Sequence, residues 1–176
     1  MFELVKVAFA LVSAFLIFRA VRRQCNRYLA FVVLAVWGRF LLSAFHSFTY
    51  DPLIAGFSIN ALASIGIAGL GVLLLPTKVF RLRALLLLYL FIGSVIISGL
   101  ITGNLTGLIN VAVKWLFFLV IACALVLAIR KVGKDIVLRK LLIAFFLPVA
   151  LQIASVALGV SKATEADGSA SYIGGY

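Results

Sequence analysis

The chain has 176 residues, of which 65% are hydrophobic and only 12% charged, and its formal net charge is +11. A soluble domain of this length cannot keep so much apolar surface away from water. The excess of Lys and Arg does not indicate a nucleic-acid-binding surface, because it falls in short clusters between apolar runs, as the positive-inside rule expects of a membrane protein.

Six apolar runs follow one another along the chain. A transmembrane helix needs about 20 apolar residues, and a helix satisfies its own backbone polar groups in lipid. The sequence therefore predicts an all-α bundle of about six transmembrane helices, at Met1–Phe18, Tyr28–Phe48, Pro52–Leu75, Leu82–Ile101, Leu108–Ile129 and Leu141–Val160.

Basic clusters alternate with uncharged or acidic connections between these runs. The clusters are Arg19, Arg22, Arg23 and Arg27; Lys78, Arg81 and Arg83; and Arg130, Lys131, Lys134, Arg139 and Lys140. Every acid except Asp135 falls on the opposite side. Three basic loops on one side of six helices predict that both termini lie outside, which in a bacterium is the periplasm. We expect a multi-pass protein of the bacterial inner (cytoplasmic) membrane.

Residues 1–160 are predicted to form the bundle, and residues 161–176 a polar periplasmic tail that is disordered or begins an interrupted periplasmic segment. In the third run Gly56, Asn60 and Ser64 recur every fourth residue, a small and polar stripe that favours close helix packing. Pro148 is predicted to kink the sixth helix.

Two cations lie inside apolar runs. Arg39 is 12 residues from both Arg27 and Asp51, which predicts a position near the middle of helix two, and Lys114 lies roughly two turns into helix five. A cation at such a depth usually faces a partner or a wet cavity, although a structural ion pair or snorkelling is the alternative. Because no intramembrane carboxylate is available, we expect an external anionic partner in an outward-facing cavity.

Arg39, Ser43, His46 and Tyr50 are spaced by four, three and four residues, which places them on one face of a continuous helix ending beside Asp51. With Asn60, this polar stripe supports a predicted site in which Arg39 and Lys114 bind phosphate. His46, the only histidine, is a candidate catalytic residue, but an interfacial structural role is the alternative. The sequence contains no metal-binding cluster, phosphate loop or nucleophile motif, and we expect neither metal nor cofactor.

The stretch Trp37–Leu62, the Lys114-Trp115 pair and the tail DGSASYIGGY resemble bacterial O-antigen polymerase and ligase-like membrane proteins, including exopolysaccharide polymerases. The resemblance implies transfer of glycan from an undecaprenyl pyrophosphate carrier at the periplasmic face, with Arg39 and Lys114 holding the pyrophosphate and without a metal. It also implies partners among other proteins of cell-envelope polysaccharide assembly.

Members of that family are larger, with ten or more helices and a long periplasmic loop. The resemblance therefore implies that this chain is an N-terminal portion and inactive alone. Two other functions remain open: a small transporter or channel with an anion path past Arg39 and Lys114, and a non-catalytic membrane scaffold. Neither the sugar, the acceptor nor the choice between polymerase and ligase follows from the residues.

Overall fold

In the computed structural model, every long element is an α-helix. The structure describes the chain except residues 1, 23–25, 50–51, 55–56, 82, 104, 160, 165–169 and 173–176, and except the side chains of residues 2, 46–47, 52–54, 57, 84, 105–107, 110, 161–164 and 170–172.

The described residues form eight α-helices, in chain order α1 (Phe2–Arg22), α2 (Arg27–Ala44), α3 (His46–Thr49), α4 (Ile59–Leu74), α5 (Thr77–Phe80), α6 (Leu86–Ile101), α7 (Leu105–Val132) and α8 (Lys134–Ala157). A 3-10 turn, Arg83–Leu85, precedes α6. Two antiparallel hairpins complete the fold, one of β1 (Pro52–Ile54) and β2 (Phe57–Ser58), the other of β3 (Ser161–Thr164) and β4 (Ala170–Tyr172).

Four of these helices are long and apolar enough to cross a membrane: α1, α2, α7 and α8. Large apolar side chains remain exposed on their outer faces and on α4 and α6, with Leu73 84% exposed. Exposing such apolar surfaces to lipid costs no free energy, whereas exposing them to water does. The membrane class predicted from composition is therefore supported. Helices α4 and α6 have 16 residues each and fall short of a full span by length.

The connection between α2 and α4 differs from the prediction. Helix α2 ends at Ala44 instead of Phe48, and the Thr49 hydroxyl donates to the carbonyl of Leu42 at 2.6 Å, folding the chain back on the helix end. The third run was predicted to be helical from Pro52, but α4 begins only at Ile59, where the Ser58 side chain accepts from the Ala61 N–H at 3.2 Å. Proline disfavours helix in the residue before it, and serine is a preferred N-cap.

The end of the chain also differs. Helix α8 begins at Lys134 instead of Leu141, because Gly133 (φ +87°) makes a tight turn directly after α7 and the basic residues beyond it are good helix formers. Of the tail, which was predicted to be disordered or to begin an interrupted periplasmic segment, Ser161–Thr164 and Ala170–Tyr172 pair as an antiparallel hairpin. Pro148 lies inside α8, where it leaves the Ala144 carbonyl without its usual donor.

The core lies where α2 packs between its neighbours. Helices α1, α2 and α8 pack together, α4 lies along α7 and against α2, and α6 packs along α7 without burying any residue of its own. The Trp37 indole N–H donates to the buried Ser13 hydroxyl at 3.0 Å and joins α2 to α1. This arrangement brings one face of α2 opposite α4 and α7.

The contact between α4 and α7 depends on Gly71. A Cβ at this position overlaps the side chain of Val120 on α7 and approaches the Phe31 ring of α2 to 2.8 Å. Gly69, on the same helix, has no heavy atom within 4 Å of such a Cβ. The small-residue pattern in this helix therefore has one position at which three helices meet.

Gly71→Ala is expected to destabilise the bundle by about 1–3 kcal/mol, the usual cost of overpacking a filled site. Gly69→Ala is the matched control and should be neutral or stabilising, by up to about 1 kcal/mol, because alanine is the better helix former. Unfolding in mixed micelles by increasing denaturing detergent measures both. Equal midpoints for the two variants would contradict the close approach of α4 and α7.

Candidate functional site

Arg39 of α2 reaches across to α4. Its Nη1 donates to the side-chain oxygen of Asn60 and, at 3.1 Å, to the hydroxyl of Ser64. Asn60 and Ser64 are one turn apart and both buried, so they face the same way on α4, and Ser64 donates in turn to the Asn60 carbonyl at 2.8 Å. The polar stripe predicted on the third run is therefore a binding surface for the guanidinium.

Both hydrogen-bond partners that Arg39 has among the described residues are neutral. Asn60 and Ser64 accept hydrogen bonds from a guanidinium N–H group that would have no partner in lipid. They do not neutralise the positive charge of Arg39. The other guanidinium N–H groups have no hydrogen-bond partner in the part of the chain that the structure describes. Arg39 thus keeps both its charge and free donors.

A cavity of ≈ 190 Å³ lies beside this cluster, where α2, α4 and α7 meet. It is lined by Arg39, Ser58, Asn60, Ala61, Ser64, Ile65, Val113 and Lys114. Lys114 enters from α7, is exposed, and has neither an ion pair nor a hydrogen bond among the described residues. The two intramembrane cations singled out in the sequence therefore line one cavity.

The electrostatics of the cavity favour an anion. No carboxylate is among the described residues that line it. The first turn of α4 also lines it, and the N-terminal end of a helix carries a partial positive charge. An arginine with free donors, a lysine and a helix N-terminus together form the charge arrangement that binds phosphate or carboxylate groups.

The remaining predicted site residues are not brought together in this way. The prediction of one continuous polar face is wrong, because α2 ends at Ala44 and His46 begins the separate helix α3. Ser43 lies one turn beyond Arg39 on α2 and does not line the cavity. The His46 side chain, Tyr50 and Asp51 lie outside the described residues, so their roles stay predictions.

Arg39 also lies nearer the end of its helix than the sequence predicted. It lies five residues from the end of α2, about 7.5 Å along the axis, instead of at the middle of the helix. The early end of the helix, at the turn that Thr49 stabilises, is the reason.

Sequence reasoning missed a third intramembrane cation. Lys6 on α1 is 2% exposed and forms an ion pair with Glu3 at 2.6 Å. The Glu-x-x-Lys spacing at the start of an apolar helix was the signal, since residues three apart are neighbours on a helix. Unlike Arg39 and Lys114, Lys6 has a carboxylate partner.

Comparisons of the chain with protein-family models, with curated proteins and with solved structures found no match. The site is therefore interpreted from its own residues.

Asn60→Leu is expected to destabilise the protein by about 1–3 kcal/mol, because Arg39 then loses one of its hydrogen-bond acceptors in an apolar setting and keeps only Ser64 among those described. Asn60→Asp is the matched control: it retains the acceptor and adds an ion pair, so the free energy of unfolding should not fall. Denaturing-detergent titration compares them. Equal loss in both variants would show that Asn60 matters for its shape and not as an acceptor.

Proposed function

We propose that the cavity between α2, α4 and α7 binds the phosphate-bearing headgroup of a lipid at the outer face of the membrane. The observation that carries this proposal is the convergence of Arg39 and Lys114 on one cavity, where neither has a carboxylate partner among the described residues. An unpaired cation inside the membrane costs free energy. In this proposal an anionic ligand forms the ion pair and lowers that cost.

The size of the cavity limits what enters it. Pockets for drug-sized ligands measure about 300–1,000 Å³, whereas this one measures ≈ 190 Å³. One or two phosphate groups fit this space, but an oligosaccharide does not. In this proposal the glycan stays on the outer side and the hydrocarbon chain lies in the surrounding lipid.

The lipid proposed is an undecaprenyl pyrophosphate that carries a glycan, and the chain is proposed to be the N-terminal part of a glycosyltransferase of the O-antigen polymerase or ligase type. The stretch that resembles this family, Trp37–Leu62, contributes both Arg39 and Asn60 to the cavity. Their contact supports a binding role for this stretch. Glycosyl transfer itself is the further step that the resemblance implies.

The membrane topology in this proposal has six spans and both termini in the periplasm of a bacterial inner membrane. Helices α4 and α6 are each about 24 Å long, a few ångströms less than a typical hydrocarbon core. Such a shortfall is accommodated by local bilayer thinning at modest cost. The strict alternation of basic clusters supports the same arrangement.

Cysteine labelling tests the topology in a variant lacking Cys25 and Cys123. Asn104→Cys, between α6 and α7, should react with a membrane-impermeant thiol reagent added outside the cell. Lys134→Cys, at the start of α8, should react only after the membrane is opened. The reverse pattern would overturn the orientation, and protection of both positions would overturn the six-span count.

Binding of undecaprenyl pyrophosphate to the purified chain in nanodiscs tests the function. Arg39→Leu should weaken binding about ten- to a hundredfold, because a hydrogen bond to a charged group contributes about 1.5–3 kcal/mol. Arg39→Lys should also weaken it, since lysine lacks the paired donors that phosphate accepts. Lys114→Gln should weaken it less, because it removes the charge that lies exposed at the cavity edge.

Two comparisons sharpen this test. Asn60→Asp should abolish binding while leaving the fold intact, because a carboxylate beside Arg39 neutralises the cavity. Arg83→Leu, at the other end of the bundle, removes an equal charge and should leave affinity unchanged. Equal effects of Arg39→Leu and Arg83→Leu would mean that the lipid is attracted by overall charge, and the cavity would then have no binding role. Loss of the folded protein in Arg39→Leu would make Arg39 a structural residue.

A further inference from the structure

A second recess lies between α7 and α8 at the basic end of the bundle, away from the Arg39 cavity. It is an open groove of ≈ 370 Å³. Its walls are mostly apolar, and its lining residues are Leu125, Ile129, Lys134, Asp135, Val137, Leu138 and Leu141. Along α8 the lining residues extend from Lys134 to Leu141, about 10 Å along the helix axis, and those from Val137 onward are apolar.

Exposed basic residues lie next to the lining residues of this groove in the chain. Arg130 and Lys131 end α7, and Lys134 and Arg139 belong to the first turns of α8. All four are exposed, and none forms an ion pair within the described part of the chain. Among the described residues that line the groove, Lys134 and Asp135 carry opposite charges that cancel, so the excess positive charge near the groove comes from Arg130, Lys131 and Arg139.

We propose that this groove binds a phospholipid with an anionic headgroup. One acyl chain lies along Leu138 and Leu141, and the phosphate lies at Lys134, where the groove reaches the membrane surface. The apolar wall of the groove suits the acyl chain of such a lipid, and the cations at its end suit the anionic headgroup. Basic pockets between helices on the cytoplasmic side recognise anionic headgroups in this way.

The charge at the mouth selects among lipids. A zwitterionic phospholipid brings a choline or ethanolamine cation towards Arg130, Lys131 and Lys134, and like charges repel. A phosphatidylglycerol headgroup has no cation and keeps its negative charge. The groove therefore favours phosphatidylglycerol over phosphatidylcholine, although both offer the same acyl chains.

Native mass spectrometry of the full chain, released from detergent with equal amounts of phosphatidylglycerol and phosphatidylcholine of identical acyl chains, tests the proposal. The unaltered chain should retain phosphatidylglycerol at least about fivefold more often, the preference that a single basic residue near the headgroup provides. Lys134→Glu should abolish the preference. The matched control Lys78→Glu makes the same charge change in the neighbouring basic loop, on α5, and should keep it.

Two further measurements separate the groove from general electrostatics. Leu138→Trp fills the groove and should lower the retention of both lipids, and soluble glycerol 3-phosphate should not displace the bound lipid because it lacks the acyl chain. Equal retention of the two lipids by the unaltered chain, or equal loss of preference in Lys78→Glu and Lys134→Glu, would overturn the proposal. Displacement by glycerol 3-phosphate would also overturn it. If Leu138→Trp does not fold, the two lysine variants still decide.

Discussion

A guanidinium inside a membrane helix must have hydrogen-bond partners, and this requirement determines how α2, α4 and α7 pack together. Arg39 meets it through Asn60 and Ser64, which lie one turn apart on α4. Helix α4 is thereby held with its polar face towards α2. The same orientation turns Gly71 towards α7, where only a residue without a side chain fits against Val120 and Phe31. Close packing of α4 on α7 then brings Lys114 to the cavity that Arg39 lines.

Asn60 and Ser64, which accept hydrogen bonds from Arg39, are uncharged, and the charge of Arg39 therefore remains. A carboxylate beside Arg39 stabilises a buried charge but also cancels it, as Glu3 does for Lys6 on α1. An amide and a hydroxyl satisfy one nitrogen of the guanidinium and leave its charge in place. Arg39 and Lys6 are thus in different electrostatic states. The paired one fits a structural role, and the unpaired one is suited to a ligand.

Charge also distinguishes the two ends of the bundle. At the end of the bundle where α4 begins, Arg39 and Lys114 line a small cavity beside the first turn of α4. At the basic end the cations are exposed, and the recess beside them is mostly apolar. The first arrangement suits a compact multivalent anion, and the second suits the surface of an anionic bilayer. Both proposed ligands are lipids. The Arg39 cavity would recognise phosphate groups alone, whereas the groove between α7 and α8 would recognise an acyl chain together with the headgroup.

Composition and periodicity determined the class of this protein, because no other environment accommodates so many apolar residues in six runs separated by alternating basic clusters. They also identified Arg39, Lys114 and the Asn60–Ser64 stripe, since charges and amides are conspicuous in apolar helices. Helix ends were not predicted reliably: the Ser58 cap, the turn at Thr49 and the Gly133 turn depend on a few local hydrogen bonds and one backbone angle. The packing of α2, α4 and α7 brings Arg39 within hydrogen-bond distance of Asn60. It also places Lys114 in the lining of the same cavity. Periodicity places residues on a face of their own helix, but only tertiary contacts determine which faces meet.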